Sequence, residues 1–387
     1  MARAHRQPFT PHARMTKPDA ARRVVVEAIR ARVFPAAAIE VGNGASALWS
    51  EAVGTLTFDV SSPPANVNTP FDLASLTKVV ATTTVVMELV RTGALDLDER
   101  VSAFFEDWRG ADREPVTVRD LLEHASGLAA RLLDPPPTGR RELEHDIGAM
   151  PLEYRPRSRS TYSDLGFILL GFLAADRGGA SLAAQFDRVW VRLQPDRDPG
   201  SVRLQPDGDA GVLLRPDLLA FDLPAEVRRL AAPTRPMDED ARRGRLLVGD
   251  VHDTYAVALG GVAGHAGMFG TAPALGAFAR VVLRASRGEA GGPPPFSPPL
   301  VAAFTTKSGV ADSSRALGWD TMRHTSSCGS RMSSLAFGHV GFTGTSLWID
   351  PARDRYFVLL TNRACDGGTI DDMRAVRRAF HDALGDL

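Results

Sequence analysis

Ser75-Leu76-Thr77-Lys78-Val79-Val80-Ala81-Thr82-Thr83-Thr84-Val85-Val86-Met87-Glu88-Leu89-Val90-Arg91-Thr92-Gly93 carries apolar residues nearly all the way round a helical wheel and ends on a glycine suited to a left-handed stop. A helix of that kind is buried inside a domain. Positions 75 and 78 fall one turn apart on one face, so the Ser75 hydroxyl and the Lys78 amine can meet. Ser75, at the N-terminal end, also sits where the helix dipole and free N–H groups favour developing negative charge.

Lys78 is one of only three lysines among 45 basic residues, the others being Lys17 and Lys307. Arginine keeps its proton near neutral pH, whereas a buried lysine amine can be tuned to act as a base. A plain helix cap at Ser75 is the competing local reading, since short polar residues favour that position. Against it, a capping box wants Glu or Gln three residues on, and a lysine in the first turn opposes the dipole. The Ser-x-x-Lys spacing alone leaves both readings open.

At 387 residues and 44% hydrophobic content, the chain can bury a large core as one domain or two interleaved ones. A formal net charge of −1, with arginines scattered among nearly equal acids, gives no electrostatic footprint for nucleic acid. Two cysteines, Cys328 and Cys365, are too few for a disulfide framework, and nine dispersed histidines offer no ligand spacing for a metal. No run is long enough to span a membrane, and no apolar core follows the basic start at Met1. The expectation as written is a cytoplasmic protein; a start at Met15 would leave residues 1–14 a spurious extension and keep an envelope location open.

The pattern predicts a first helix over Ala20 to Arg32, then short strands at Ala36 to Val41 and Ala47 to Val53. Helical periodicity dominates from about 75 to 190, including Val116 to His124 and Leu165 to Ala175, with a break at Pro135-Pro136-Pro137. Val191-Arg192-Leu193-Gln194-Pro195-Asp196 recurs as Val202-Arg203-Leu204-Gln205-Pro206-Asp207, with a partial echo at Leu214 to Asp217. Two copies and a fragment cannot build a solenoid and read as a surface insertion. A helix at Ala272 to Ser286 follows. Strands are predicted at Leu335 to Val340, Thr345 to Asp350 and Tyr356 to Thr361, and a closing helix at Ile370 to Leu384.

Strands at both chain ends with helices between them imply an α+β fold: an antiparallel sheet from the N- and C-terminal segments, flanked by helices, with a mainly helical domain inserted. The expected division is a disordered extension over 1–19, a sheet domain over 20–74 and 255–387, and a helical domain over 75–254 with the repeat-bearing insertion at about 191–217. Ser75 falls near the floor of the cleft between the two domains.

In order along the chain, Ser75-Leu76-Thr77-Lys78, Tyr162-Ser163-Asp164 and His339-Val340-Gly341 resemble the three active-site elements of the serine β-lactamase and penicillin-binding protein superfamily. The closer resemblance is to its class C-like and esterase branch. Leu121-Leu122-Glu123-His124-Ala125-Ser126-Gly127-Leu128 and the stretch Gly341 to Pro351 are similar to two further family segments, and the likeness spans roughly 20 to 385. It implies the β-lactamase/transpeptidase-like fold and a serine hydrolase working through an acyl-serine, with neither metal nor organic cofactor. Ser75 would be the nucleophile, Lys78 would take or relay its proton, and Tyr162 would be the second proton shuttle. The oxyanion hole would be the N–H groups of Ser75 and Phe342, with His339, Gly341 and Asp164 beside the substrate.

His124 and His265 are read as structural histidines bonded in their turns. Two departures from the family pattern bear on substrate. Asp164 stands where the lactamases have asparagine, so it can accept but not donate a hydrogen bond when ionised. His339-Val340 replaces Lys-Thr, which removes a permanent cation and a hydroxyl. The expected substrate is a small ester, amide or peptide, with an esterase or D-amino-acid peptide hydrolase ahead of a β-lactamase. The alternative is a ligand-binding or sensor protein of the same fold with slow or no deacylation.

Overall fold

The computed structural model describes residues 16–131, 137–194 and 216–385. Its helices are α1 (Lys17–Arg30), α2 (Thr83–Arg91), α3 (Val118–Leu122), α4 (Arg140–Ala149), α5 (Asp164–Gly178), α6 (Leu182–Arg192), α7 (Ala225–Arg228), α8 (Thr254–Ala258), α9 (Ala272–Ser286), α10 (Pro298–Thr305) and α11 (Ile370–Leu384). The strands are β1 (Ala36–Gly42), β2 (Ala47–Gly54), β3 (Phe71–Asp72), β4 (Leu219–Ala220), β5 (Phe269–Gly270), β6 (Asp320–Thr321), β7 (Phe337–Val340), β8 (Ser346–Asp350) and β9 (Arg355–Thr361).

α1 begins earlier than the sequence pattern suggests. The Thr16 hydroxyl accepts from Asp19 N–H, the Asp19 carboxylate accepts from Thr16 N–H, and Pro18 sits in the first turn, so the capping box sets the start at Lys17. The boundary at residue 19 is therefore corrected: residues 17–19 belong to the helix, and 1–15 lie outside the described residues. The repeat insertion lies outside them from 195 to 215, as do the first two prolines of the Pro135-Pro136-Pro137 break. Of the first repeat, Val191 and Arg192 close α6 and Leu193 is its C-cap.

The antiparallel sheet runs β2-β1-β9-β8-β7-β6, so the first two strands add to one edge of a C-terminal meander. Side chains alternate across it, as the pleat requires. Ala37, Ile39 and Val41 of β1, Trp348 of β8, and Phe357 and Leu359 of β9 join the apolar faces of α1 and α11. Ala36 and Ala38 of β1, Leu347 and Ile349 of β8, and Val358 and Leu360 of β9 point the other way, into a cluster with α9. That second cluster continues through Val79, Val80 and Val86 into α5 and α6, reaching Leu169 and Trp190, so one apolar core underlies both sheet and helices. Each such Leu, Ile, Val or Phe contributes about 1.5–3 kcal/mol on burial. α5, apolar almost all round, is buried from Asp164 to Ala174.

A second small sheet, β3-β5-β4, ties segments from residues 71, 219 and 269 together directly behind the 75–78 turn. The helix expected to run from Ser75 is not a regular α-helix. Three tight turns come first, with Leu76 N–H donating to Leu73 O at 3.1 Å, Thr77 N–H to Ala74 O at 3.0 Å and Lys78 N–H to Ser75 O at 3.1 Å. The chain then widens to a π-helical stretch, Lys78–Thr82, before settling into α2. The widening lets Thr82 Oγ1 donate to the Gly264 carbonyl at 2.6 Å, an anchor outside the helix. π-Turns of this kind concentrate at functional sites. Gly93, at φ 72°, follows the α2 stop as its pattern implies.

Candidate active site

Asp72 and Ala74 fix the approach to Ser75. Ala74 holds φ at 46°, the left-handed region that costs a residue with a Cβ about 1 kcal/mol or more. The Asp72 carboxylate holds this turn, accepting from Ala74 N–H and from His252 N–H, each at 2.8 Å. Burial pushes the Asp72 carboxyl up to about 6, against the two amides that favour its anion. From the opposite side, the Thr343 and Thr345 hydroxyls donate to the Asp72 and Leu73 carbonyls at 2.7 and 3.0 Å. The turn that carries Ser75 is thus stitched to the β7–β8 hairpin.

Lys78 Nζ has three donors and three acceptors around it: Ser75 Oγ at 3.0 Å, Asp164 Oδ1 at 2.7 Å and the His265 carbonyl at 3.0 Å. It is fully buried. Burial alone would push its pKa down, but the Asp164 carboxylate and Tyr162 outweigh it and hold the amine above its ordinary value, as an ammonium. The second Asp164 oxygen faces Arg131 Nη1 at 3.8 Å. Arg131 is shared with Asp253, at 3.4 Å, and Asp253 in turn meets His265 Nε2 at 2.7 Å. That contact, with the α8 cap and Arg131, keeps the Asp253 carboxyl well below the usual range despite burial.

Tyr162 reaches Ser75 from the other direction, its hydroxyl donating to Ser75 Oγ at 2.7 Å. Its place is set by the segment before α5. Ser163 caps that helix through Gly166 N–H at 3.3 Å, Asp164 N–H donates to Ala130 O at 2.9 Å, and Ser163 N–H donates to His124 Nδ1 at 3.1 Å. His124 sits at φ 54°, its ring 4.8 Å from that of Tyr162, and its carbonyl accepts from Thr161 N–H and the Tyr154 hydroxyl. His124 and His265 therefore hold their turns, in keeping with the structural reading of both. Desolvation pushes the Tyr162 phenol up, and Lys78, 4.9 Å from the ring centre, pulls it back only in part.

The third element forms the facing wall. His339, on β7 opposite Leu347, is buried, with its ring 5.8 Å from that of Tyr162 and Nδ1 2.9 Å from the Val340 carbonyl. Burial, then the charges of Arg315 and Lys78, hold its pKa well below 6.5, so the ring is neutral. At Gly341 an added Cβ would run into Thr345 Oγ1 and the Leu73 carbonyl, so only glycine allows the strand to approach the Ser75 turn this closely. Arg377 and Arg363 donate to the Gly341 and Phe342 carbonyls, at 2.6 and 2.7 Å, which fixes the backbone here. Phe342 is 44% exposed, its ring against His252 and under the Arg363 guanidinium.

These groups line one cleft of about 630 Å³, with Ser75, Tyr162, Asp164, His339, Gly341 and Phe342 all on its wall. The residues expected at the site all come to this place, Lys78 through its bond to Ser75. Sequence reading missed Asp72, Arg131, Asp253 and Arg315. Asp72 had a faint signal, an acid between Phe71 and Leu73 in an apolar run; the others sit in loops with no pattern to mark them.

The family described as Beta-lactamase matches residues 21–379. A protein of Salmonella gallinarum named "Putative D-alanyl-D-alanine carboxypeptidase" is 30% identical over 320 residues, covering 77% of this chain and 70% of its own. Among solved structures, a class C β-lactamase from Rhodobacter sphaeroides superposes with a TM-score of 0.70 at 17% identity, over 95% of this chain and 98% of its own. The hydrolase EstCE1 superposes with a TM-score of 0.69 at 19% identity, over 94% and 98%. The fold is the β-lactamase/transpeptidase-like one expected from the three motifs, and the chain belongs to the beta-lactamase family, whose members are serine hydrolases.

Proposed function

We propose that the chain hydrolyses esters or amides through an acyl intermediate on Ser75. The observation that carries this reading is the Ser75 hydroxyl between Lys78 Nζ at 3.0 Å and the Tyr162 hydroxyl at 2.7 Å. A nucleophile within reach of two proton-carrying groups, one of them oriented by a buried carboxylate, has the geometry acyl transfer needs.

Ser75 Oγ attacks the substrate carbonyl and gives its proton to the Tyr162 oxygen, in the fraction of molecules where that oxygen is ionised. Lys78 stabilises the phenolate and does not itself take the proton at rest, because all three of its N–H bonds are committed. The N–H groups of Ser75 and Phe342 receive the oxyanion. Collapse breaks the bond to the leaving oxygen or nitrogen, which takes the proton from Tyr162. Water then gives a proton to Tyr162 as its oxygen attacks the acyl carbon, and release of the acid returns the proton to Ser75.

Neutral His339 and acceptor-only Asp164 support an esterase or D-amino-acid peptide hydrolase ahead of a β-lactamase. The name of the Salmonella relative agrees with the peptide branch. The test is steady-state turnover of p-nitrophenyl acetate, an acyl-D-alanyl-D-alanine peptide and a penicillin by wild type and Ser75→Ala. Multiple turnover of ester or peptide that is lost in Ser75→Ala supports the reading. Stable labelling without turnover moves the chain to the sensor alternative, and unchanged turnover in Ser75→Ala rejects Ser75 as the nucleophile.

A further inference from the structure

Two buried arginines stand behind the β7–β8 hairpin, and neither meets a carboxylate among the described residues. Arg377 of α11 is 6% exposed and Arg363 8%, and their guanidiniums donate to backbone carbonyls. Arg377 Nη2 bonds the Gly341 carbonyl at 2.6 Å and the Thr345 carbonyl at 2.9 Å. Arg363 bonds the Phe342 carbonyl through Nε and Nη2, at 3.1 and 2.7 Å, and the Gly368 carbonyl through Nη1. Burial, then the charges of Arg363 and Arg374, pushes the Arg377 pKa down to about 9, so the guanidinium stays charged at pH 7. Burying an unpaired charge is costly, and a neutral amide or hydroxyl could tie down a carbonyl without that cost. The charge itself therefore calls for a use.

That use follows from the peptide unit that Arg377 grips. The Gly341 carbonyl and the Phe342 N–H are the two ends of one planar trans unit, since the cis bond of the described chain lies at Pro294-Pro295. In such a unit the two groups point in opposite directions. The carbonyl end takes Arg377 and also Gly344 N–H, at 3.1 Å, which closes the turn, so the N–H end points away from the hairpin. Gly341 N–H is bonded to the Thr345 carbonyl at 2.9 Å, which keeps the unit from rotating. A positive charge on the oxygen of an amide draws electrons from its nitrogen and makes the N–H a stronger donor, as in any chain of hydrogen bonds.

We infer that Arg377 is a positioning residue for the oxyanion hole: through the Gly341-Phe342 peptide it orients and strengthens the Phe342 N–H that receives the negative oxygen formed on acylation of Ser75. Arg363 braces the next carbonyl. The catalytic consequence rests on the acyl-Ser75 reading, whereas the coupling of Arg377 to the Phe342 N–H does not. Loss of a whole oxyanion donor costs about 10²–10³ in kcat, so loss of the charge behind one donor should cost about ten- to a hundredfold.

The test compares the full chain as wild type, Arg377→Met and Arg377→Lys. With p-nitrophenyl acetate, kcat and kcat/KM should fall together by about that factor in Arg377→Met, with KM little changed, and by less in Arg377→Lys, which keeps the charge. NMR with glycine labelled at the carbonyl carbon and phenylalanine at nitrogen selects the three Gly-Phe peptides of the chain, 166–167, 171–172 and 341–342, and the signal lost in Phe342→Leu is the last. In Arg377→Met its carbon and nitrogen resonances should both move to lower frequency, as for a carbonyl that has lost a donor, while the two signals from α5 stay in place. Arg377→Lys should lie between. Should Arg377→Met move all three signals, its fold has changed, and Arg377→Lys decides by the same two readouts. A lower denaturation midpoint with kcat and the 341–342 signal unchanged overturns the inference, as does a lower kcat with that signal unmoved. Absence of Ser75-dependent ester turnover in wild type counts against the hydrolase reading instead, and the 341–342 signal still decides whether Arg377 governs the Phe342 N–H.

Discussion

The two walls of the cleft are built on opposite principles. On the helical wall, Lys78, Asp164, Arg131 and Asp253 form a chain of charges in which each member has its partner, and Ser75 is clamped between Lys78 and Tyr162. On the strand wall, His339 is neutral with a bare nitrogen, Phe342 is exposed, and the Arg315 guanidinium, over the Tyr162 ring, has no ion pair or hydrogen bond among the described residues. A wall whose polar groups are all satisfied is preorganised and resists change, because removing one member leaves a buried charge behind. A wall with open acceptors and donors waits for a ligand. The difference fits the proposed mechanism, with proton transfer on the first wall and substrate contact on the second.

Replacing Tyr162 by Phe keeps the ring against His124 and removes only the hydroxyl. Turnover of a neutral ester should fall by about 10²–10⁴-fold with KM little changed, as stopped-flow and steady-state kinetics would read. A comparable rise in KM with kcat intact would place Tyr162 on the selecting wall instead.

Asp164→Asn sharpens the comparison from the other side. Beside desolvation, the Asp164 carboxylate raises the Tyr162 pKa, so removing it favours the phenolate at lower pH. In wild type, the raised Lys78 and Tyr162 pKa values predict that kcat/KM climbs through neutral pH into the alkaline range, as one coupled titration. No inflection from His124 or His339 is expected near 6.5, because both are held well below it. In Asp164→Asn the climb should begin at lower pH, raising kcat/KM at pH 7 above that of wild type. An unmoved profile would mean that the pair does not govern the base.

Smaller effects should follow from the stitching between the walls. Asp72→Asn leaves one acceptor oxygen where Ala74 and His252 N–H groups need two, and should cost about 1–3 kcal/mol by denaturant unfolding at pH 7. The same carboxyl gives a pH signature. Its folded pKa, about 6, lies above the unfolded 3.8, so its contribution is fully present below 3.8 and is lost as pH rises through 6. The stability difference between Asp72→Asn and wild type should therefore vary between pH 4 and 7 and level off beyond. Phe342→Ala, on the exposed edge, should change KM by only about two- to fivefold, since the backbone N–H remains.

Much of this was legible in the chain. Ser75, Lys78 and Tyr162 are carried by short motifs whose residue types suit the proposed chemistry, His339 and Phe342 by their places beside Gly341, and the spacing on one helical turn puts Ser75 beside Lys78. α9 and α11 keep the bounds read from their periodicity, because their apolar stripes and caps coincide. The π-widening at Lys78–Thr82 was hidden, since it goes with a bond from Thr82 to Gly264 far along the chain. The start of α1 at Lys17 depended on a capping box in a polar lead that has no apolar period. Arg131, Asp253 and Arg315 act through loop geometry, and nothing in the neighbouring residues distinguishes them from the many other charges of the surface. Asp72 shows the limit most clearly: its function is to hold two backbone amides, one of them 180 positions away.

The most direct measurement is intact-protein mass after rapid quench of a p-nitrophenyl acetate reaction, with peptide mapping of any adduct and Ser75→Ala in parallel. The account predicts one acetyl group on the wild-type protein, mapped to Ser75, rising in the pre-steady state and decaying with turnover, and none on Ser75→Ala. An adduct mapped elsewhere, or equal ester turnover by Ser75→Ala with no adduct on either protein, would contradict it.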